Sequence, residues 1–154
     1  NKSFVVVITP SLNGFFLIFV LLFVSGCSII QTVNPVSLQT LGSREICVIE
    51  NVSVNKSFLP AYKSALKKTG FSVRILSPGS DVISCELSST YAAKWSWDFV
   101  PYMASAEIIV YRNGIRIGDA RYEAPKSGWS LTTKIYEKTS AKIDKMVAQL
   151  FSNS

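Results

Sequence analysis

The sequence predicts an α+β fold: a two-layer sandwich with a mainly antiparallel sheet and two helices on one face, in the order β-α-β-β-β-β-α. Three observations carry this. Two stretches repeat apolar residues at helical spacing, one early and one at the carboxyl end. Between them lie alternating, β-branched segments. The pair Asn113-Gly114 sits between two of these segments, where a type I′ hairpin turn would need it.

The elements follow in order. Glu45–Glu50 (EICVIE) is apolar and β-branched, a buried strand. Ser57–Thr69 reads as a helix, with Pro60 in its first turn and Leu59, Tyr62, Ala65 and Leu66 on one stripe. Lys67 and Lys68 complement the dipole at its end, and Gly70 stops it. Phe71–Leu76 alternates as a half-buried strand, and Pro78-Gly79 marks a turn. Asp81–Trp97 reads as one long extended stretch, with Ile83, Cys85 and Leu87 pointing the same way. Ala104–Tyr111 and Ile115–Tyr122 flank Asn113-Gly114; a two-residue turn sets Tyr111 against Arg116 and Val110 against Ile117. Ala124–Ser130 is a loop containing Pro125 and Gly128. Lys134–Phe151 is the second helix, its core stripe formed by Ile143, Met146, Val147, Leu150 and Phe151.

Ahead of this domain lies a different kind of sequence. Of 154 residues, 48% are hydrophobic, and much of that excess sits in the first 26. Residues 1–26 hold one charge, Lys2, and end in the uninterrupted apolar run Phe15–Val24 (FFLIFVLLFV). Ten helical residues cover about half of a roughly 30 Å hydrocarbon core, too short to span and the right length for a signal-peptide apolar region. Directly after it comes Val24-Ser25-Gly26-Cys27. This resembles the lipobox of bacterial lipoproteins: a branched apolar residue, two small residues that pass a peptidase cleft, and a cysteine whose thiol can form a thioether to diacylglycerol. The resemblance implies cleavage between Gly26 and Cys27 and a mature chain held in lipid by acyl groups on Cys27, two chains being enough for stable anchoring. Ser28, in place of Asp, implies carriage to the outer membrane of a Gram-negative envelope, facing the periplasm. No other cofactor is expected.

Residues 27–43 then read as the lipidated cysteine and a flexible tether, because Ser28–Ser43 (SIIQTVNPVSLQTLGS) has no charge and no sustained period. Residues 44–154 form the globular domain. Loss of the leader removes only Lys2, lowering the net charge from +6 to +5. The basic residues are dispersed, so nucleic acid is not an expected partner.

Catalytic chemistry has little foothold. The chain contains no histidine, which excludes Ser-His-Asp and Cys-His machinery and histidine metal ligands. No G-x-S-x-G and no glycine-rich phosphate loop occurs. In the hairpin register above, Glu107 and Asp119 project to opposite faces and cannot act as a carboxylate pair. No catalytic residue and no metal site is expected. Cys47 and Cys85 either pair as a disulfide, which an envelope compartment permits, or pack as separate thiols; the sequence leaves both open.

The aromatic segment Trp95-Ser96-Trp97-Asp98-Phe99-Val100-Pro101-Tyr102 offers a contact surface, with Trp95, Trp97 and Phe99 on one face of a continuing strand and Trp129 close enough to join. The bland alternative is that these rings cover the sheet. Trp95-Ser96-Trp97-Asp98, Ala106-Glu107-Ile108, Asn113-Gly114, Ala120-Arg121-Tyr122, the Gly128 loop and the last helix together resemble a group of small bacterial lipoproteins labelled Sbd-type, over about Cys85 to Phe151. That resemblance implies no catalytic residue. The expectation is an anchored envelope lipoprotein acting as a non-catalytic binding or accessory module for an envelope protein partner. Two alternatives are a periplasmic lipid or glycan carrier and a phage- or plasmid-encoded surface-exclusion lipoprotein.

Overall fold

The computed structural model describes residues 30–124 and 137–152. Six strands and two helices form an α+β sandwich of the expected class: β1 Ile30–Asn34, β2 Glu45–Ile49, α1 Phe58–Lys68, β3 Ser72–Leu76, β4 Leu87–Asp98, β5 Val100–Arg112, β6 Ile115–Glu123 and α2 Thr139–Leu150. The sheet order is β1-β6-β5-β4-β2-β3. Pairing is antiparallel from β1 through β6 and β5 to β4, and parallel where β2 meets β4 and β3. The parallel part follows from connectivity, since α1 carries the chain back before β3 begins and so sets β3 running with β2.

Both helices are laid down by their apolar stripes. Phe58, Tyr62, Ala65 and Leu66 of α1 are buried, as are Ile143, Met146, Val147 and Leu150 of α2, and the two helices pack side by side. At the end of α1, Phe71 N–H donates to Leu66 O and Gly70 N–H to Lys67 O, with Gly70 at φ +90°. That is a Schellman stop, and its Gly needs no Cβ clearance in the left-handed region. α2 begins five residues later than its apolar pattern predicts. Lys138 has an extended ψ of 141°, so the helix starts at Thr139; residues 134–136 lie outside the described residues.

Under the helices the core is aromatic at one end. Phe58 stacks on Tyr91 with ring centroids 4.9 Å apart, and the Tyr62 hydroxyl shares a 2.6 Å hydrogen bond with Ser89 Oγ. Burial pushes the Tyr62 phenol well above its ordinary value, so it stays neutral.

Three expectations are corrected. First, the stretch read as a tether is part of the fold from Ile30 onward. β1 pairs with β6 along its whole length, Val36 is 2% exposed, its N–H donates to Leu150 O at 2.7 Å, and Leu38 and Leu41 pack on the core. Gly118 makes this fit: a Cβ there would stand 2.5 Å from Val36 Cγ2 and 2.8 Å from Asn34 O. Secondly, Asp81–Cys85 is not strand. The Asp81 carboxylate accepts from Ile83 N–H and caps a 3-10 turn at Val82–Ser84, so Ile83 turns outward while Leu87 is buried. Thirdly, the β5–β6 hairpin turns at Asn113 and Gly114, φ +50° and +82°, and pairs Tyr111 with Arg116 as expected, but a bulge follows. Val110 meets Gly118, not Ile117, and every later pair is shifted by one.

Candidate functional site

The β4–β5 ribbon is much longer than its neighbours. Ile30, Glu123, Ser105 and Lys94 form one row across β1, β6, β5 and β4. Above that row only the ribbon continues among the described strands, from Trp95 to the turn and back to Met103. A register shift between Lys94 and Trp95 marks where it leaves the body of the sheet. Strand residues rise about 3.3 Å each, so the turn stands roughly 15 Å beyond the row.

The ribbon divides its aromatic residues by height. Trp95 lies low, half-buried, its ring edge-on to Phe58 at 6.5 Å, and Met103 opposite it is buried. Tyr102 is half-buried as well. Trp97 is two residues further on, past the reach of α1, and is 72% exposed. Asp98 pairs with Val100, leaving Phe99 alone at the turn with φ +60° and 85% of its surface in solvent. A large side chain in the left-handed region is uncommon and strained. Val100 and Pro101 are also exposed.

The expected single face of Trp95, Trp97 and Phe99 is therefore corrected. Trp95 belongs to the core, the chain reverses at Phe99, and the exposed apolar group is Trp97, Phe99, Val100 and Pro101. No Gly or Asn announces that turn, so the sequence pattern starts the strand at Ala104, whereas β5 begins at Val100. The one signal for it was Pro101, a residue restricted to strand starts, edges and bulges. Trp129, Gly26 and Cys27 lie outside the described residues.

Cys47 and Cys85 form a disulfide with Cα atoms 6.3 Å apart. Cys47 is buried between Ile46 and Val48, which face the helices, so it points to the other side of the sheet. The connection from β3 to β4 crosses that side, held by the disulfide and by Ser88 Oγ–H donating to Val82 O at 2.5 Å.

The bulge after Val110 also overturns the carboxylate geometry expected from sequence. Ile109 pairs with Asp119 and Glu107 with Arg121, so both acids share the face away from the helices. Each is already engaged. Arg121 grips Glu107 Oε1 through Nε and Nη2 at 2.9 and 2.7 Å. Asp119 Oδ1 accepts from Asn34 Nδ2 and from Arg116, both at 2.8 Å. Burial opposes ionisation of Asp119, but the Asn34 amide and the Arg116 guanidinium outweigh it and hold the carboxyl below the usual carboxylate range. These acids are structural ties between β1, β5 and β6.

A depression of about 250 Å³ lies on the ribbon beside this network, lined by Ala92, Lys94, Ser105, Glu107, Arg121 and Tyr122 among others. Small-molecule sites usually enclose about 300–1,000 Å³. Among the described residues no three His, Cys, Asp or Glu side chains converge as a metal site, and no helix is long and apolar enough to cross a membrane.

A scan against protein-family models finds no match, and neither does a comparison with curated proteins. Among solved structures the chain is similar to the PelC dodecamer from Paraburkholderia phytofirmans in space group P6, with a TM-score of 0.51, 16% identity, and 82% of this chain and 100% of that one covered. It is equally similar to the PelC L103M dodecamer from the same organism in space group C2, with a TM-score of 0.50, 16% identity, and coverage of 82% and 98%. At that identity the likeness shows a shared fold.

Proposed function

We propose that this chain is a membrane-anchored envelope lipoprotein that serves as a non-catalytic binding or accessory module, with Cys27 as the lipidated residue and the β4–β5 tip as its contact element. The observation that carries the reading is the tip itself. Trp97 and Phe99 are large apolar side chains standing in solvent at the end of a ribbon, and one of them is kept there at a cost in backbone strain. Isolated exposed apolar residues need no explanation, but four apolar residues within the five ribbon-end positions 97–101, with no element covering them among the described residues, mark a contact. The sequence supports the anchor through the apolar run Phe15–Val24 followed by Val24-Ser25-Gly26-Cys27. The absence of histidine and the engagement of Glu107 and Asp119 in ion pairs support a non-catalytic role.

Two measurements test this. Palmitate labelling should reach the wild-type chain and be lost in Cys27→Ala; equal labelling of both removes the anchor. Replacing Trp97 and Phe99 together with Ser should abolish the contact while moving stability by no more than about 0.5 kcal/mol, as expected of exposed positions. A large loss of stability would instead make the rings part of the core.

A further inference from the structure

We propose that the partner of the tip is the lipid bilayer itself: Trp97, Phe99 and Val100 seat in the headgroup and acyl boundary of the same membrane that holds the Cys27 anchor. The inference rests on the reading of Cys27 as the lipidated residue, and it comes from strand direction and chain length. β4 runs toward the tip, β5 away from it, β6 toward it and β1 away from it, because each successive pair is antiparallel. The chain therefore enters β1 at Ile30 from the end of the sheet where the tip projects. Cys27 precedes Ile30 by three residues, which span at most about 10 Å.

The tether that would have let the domain swing freely is folded into the sheet as β1 and the Val36 plug. With only Ser28 and Ile29 between lipid and strand, the anchored domain stands against the bilayer with this end down. The turn projects roughly 15 Å past the Ile30 row, farther than the Cys27 sulfur can reach along the same direction. When the acyl chains are inserted, the tip has to enter the membrane or the domain has to tilt away from it. Its side chains suit entry: amphipathic elements bury apolar faces about 5–10 Å into the interface, and Trp is favoured at that depth. At the opposite end of the ribbon lie Ile115 and Ile83, 71% and 65% exposed, which by the same geometry face away from the membrane.

The test uses the full chain, produced with its leader in a bacterial host and reconstituted in phosphatidylethanolamine–phosphatidylglycerol vesicles. With Cys47 and Cys85 bonded and Cys27 acylated, a new thiol is a unique label site, so an environment-sensitive dye is placed on Val100→Cys or on Ile115→Cys. The expected result is that the dye at 100 emits at shorter wavelength on vesicles and is quenched several-fold more by nitroxides on the acyl chains than the dye at 115. Adding Trp97→Ser and Phe99→Ser should return the dye at 100 to its aqueous emission while circular dichroism stays unchanged. Two dyes that behave alike on a protein that still floats with vesicles would overturn the seating and leave the anchor standing. A dye at 100 that is shielded from water but untouched by acyl-chain quenchers would also overturn it, in favour of a protein covering the tip. Flotation of Cys27→Ala equal to wild type would remove the anchor, and the seating with it.

Discussion

Reduction of the Cys47–Cys85 disulfide should destabilise the domain by about 4 kcal/mol. The two residues are 38 apart in sequence, and closing a loop of that length in the unfolded chain costs about 13 cal/mol/K, hence about 4 kcal/mol near room temperature. Reduction is a cleaner perturbation than mutation, because the thiols keep the sulfur volume at Cys47, which is 1% exposed, and leave no cavity behind. Unfolding entropy for a domain of this size is roughly 0.25 kcal/mol/K, so the melting temperature should fall by roughly 15 °C. Urea unfolding followed by Trp fluorescence, with and without reductant, reads the effect directly. The midpoint should drop by about 2 M, and the slope should rise slightly as the reduced unfolded chain expands. A midpoint that moves by less than about 0.5 M would overturn this expectation and mean that the 47–85 segment is equally confined in the unfolded chain without the bridge.

Gly118→Ala should cost about 1–3 kcal/mol by driving a methyl into Val36 Cγ2 and the Asn34 carbonyl, and limited proteolysis should then cut selectively within residues 30–36. Phe99→Gly should do the opposite, raising stability by up to about 1 kcal/mol as the left-handed strain is relieved, while weakening the tip contact; calorimetry alongside the vesicle assay would show the two moving in opposite directions. Asp119 contributes stability that is present above its unfolded pKa of about 3.9 and lost as pH falls through its lower folded value, so acid unfolding of Asp119→Asn should show a shallower dependence on pH below about 4 than wild type. An unchanged acid transition would mean that other carboxylates govern it.

Much of the fold was legible from residue pattern alone. α1 and α2 announce themselves because a helix that covers a sheet must repeat apolar residues every three or four positions, and Gly70 and Asn113-Gly114 mark conformations that few other residues adopt. The class of the fold followed from these. The lipobox-like stretch Val24-Ser25-Gly26-Cys27 is likewise a feature of the linear string, since an apolar run and a four-residue motif need no tertiary contact to be recognised.

What the sequence could not decide depended on partners distant along the chain. β1 carries no pattern of its own because a five-residue edge strand is held by backbone pairing to β6 and by one buried side chain, Val36, whose seat exists only where Gly118 lacks a Cβ. The bulge after Val110 moves Asp119 to the face of Glu107, and one residue of register is invisible to composition. Trp95 and Trp97 look alike in sequence, yet Trp95 packs edge-on to Phe58 at the start of α1 while Trp97, two residues further along β4, is exposed, so their difference is set by where the helix begins. Residue pattern alone therefore carries the class of fold and a motif that resembles a lipobox. That the chain enters β1 at Ile30 from the same end of the sheet as the aromatic tip emerges only in the folded molecule, because strand direction is a property of pairing and not of any segment alone.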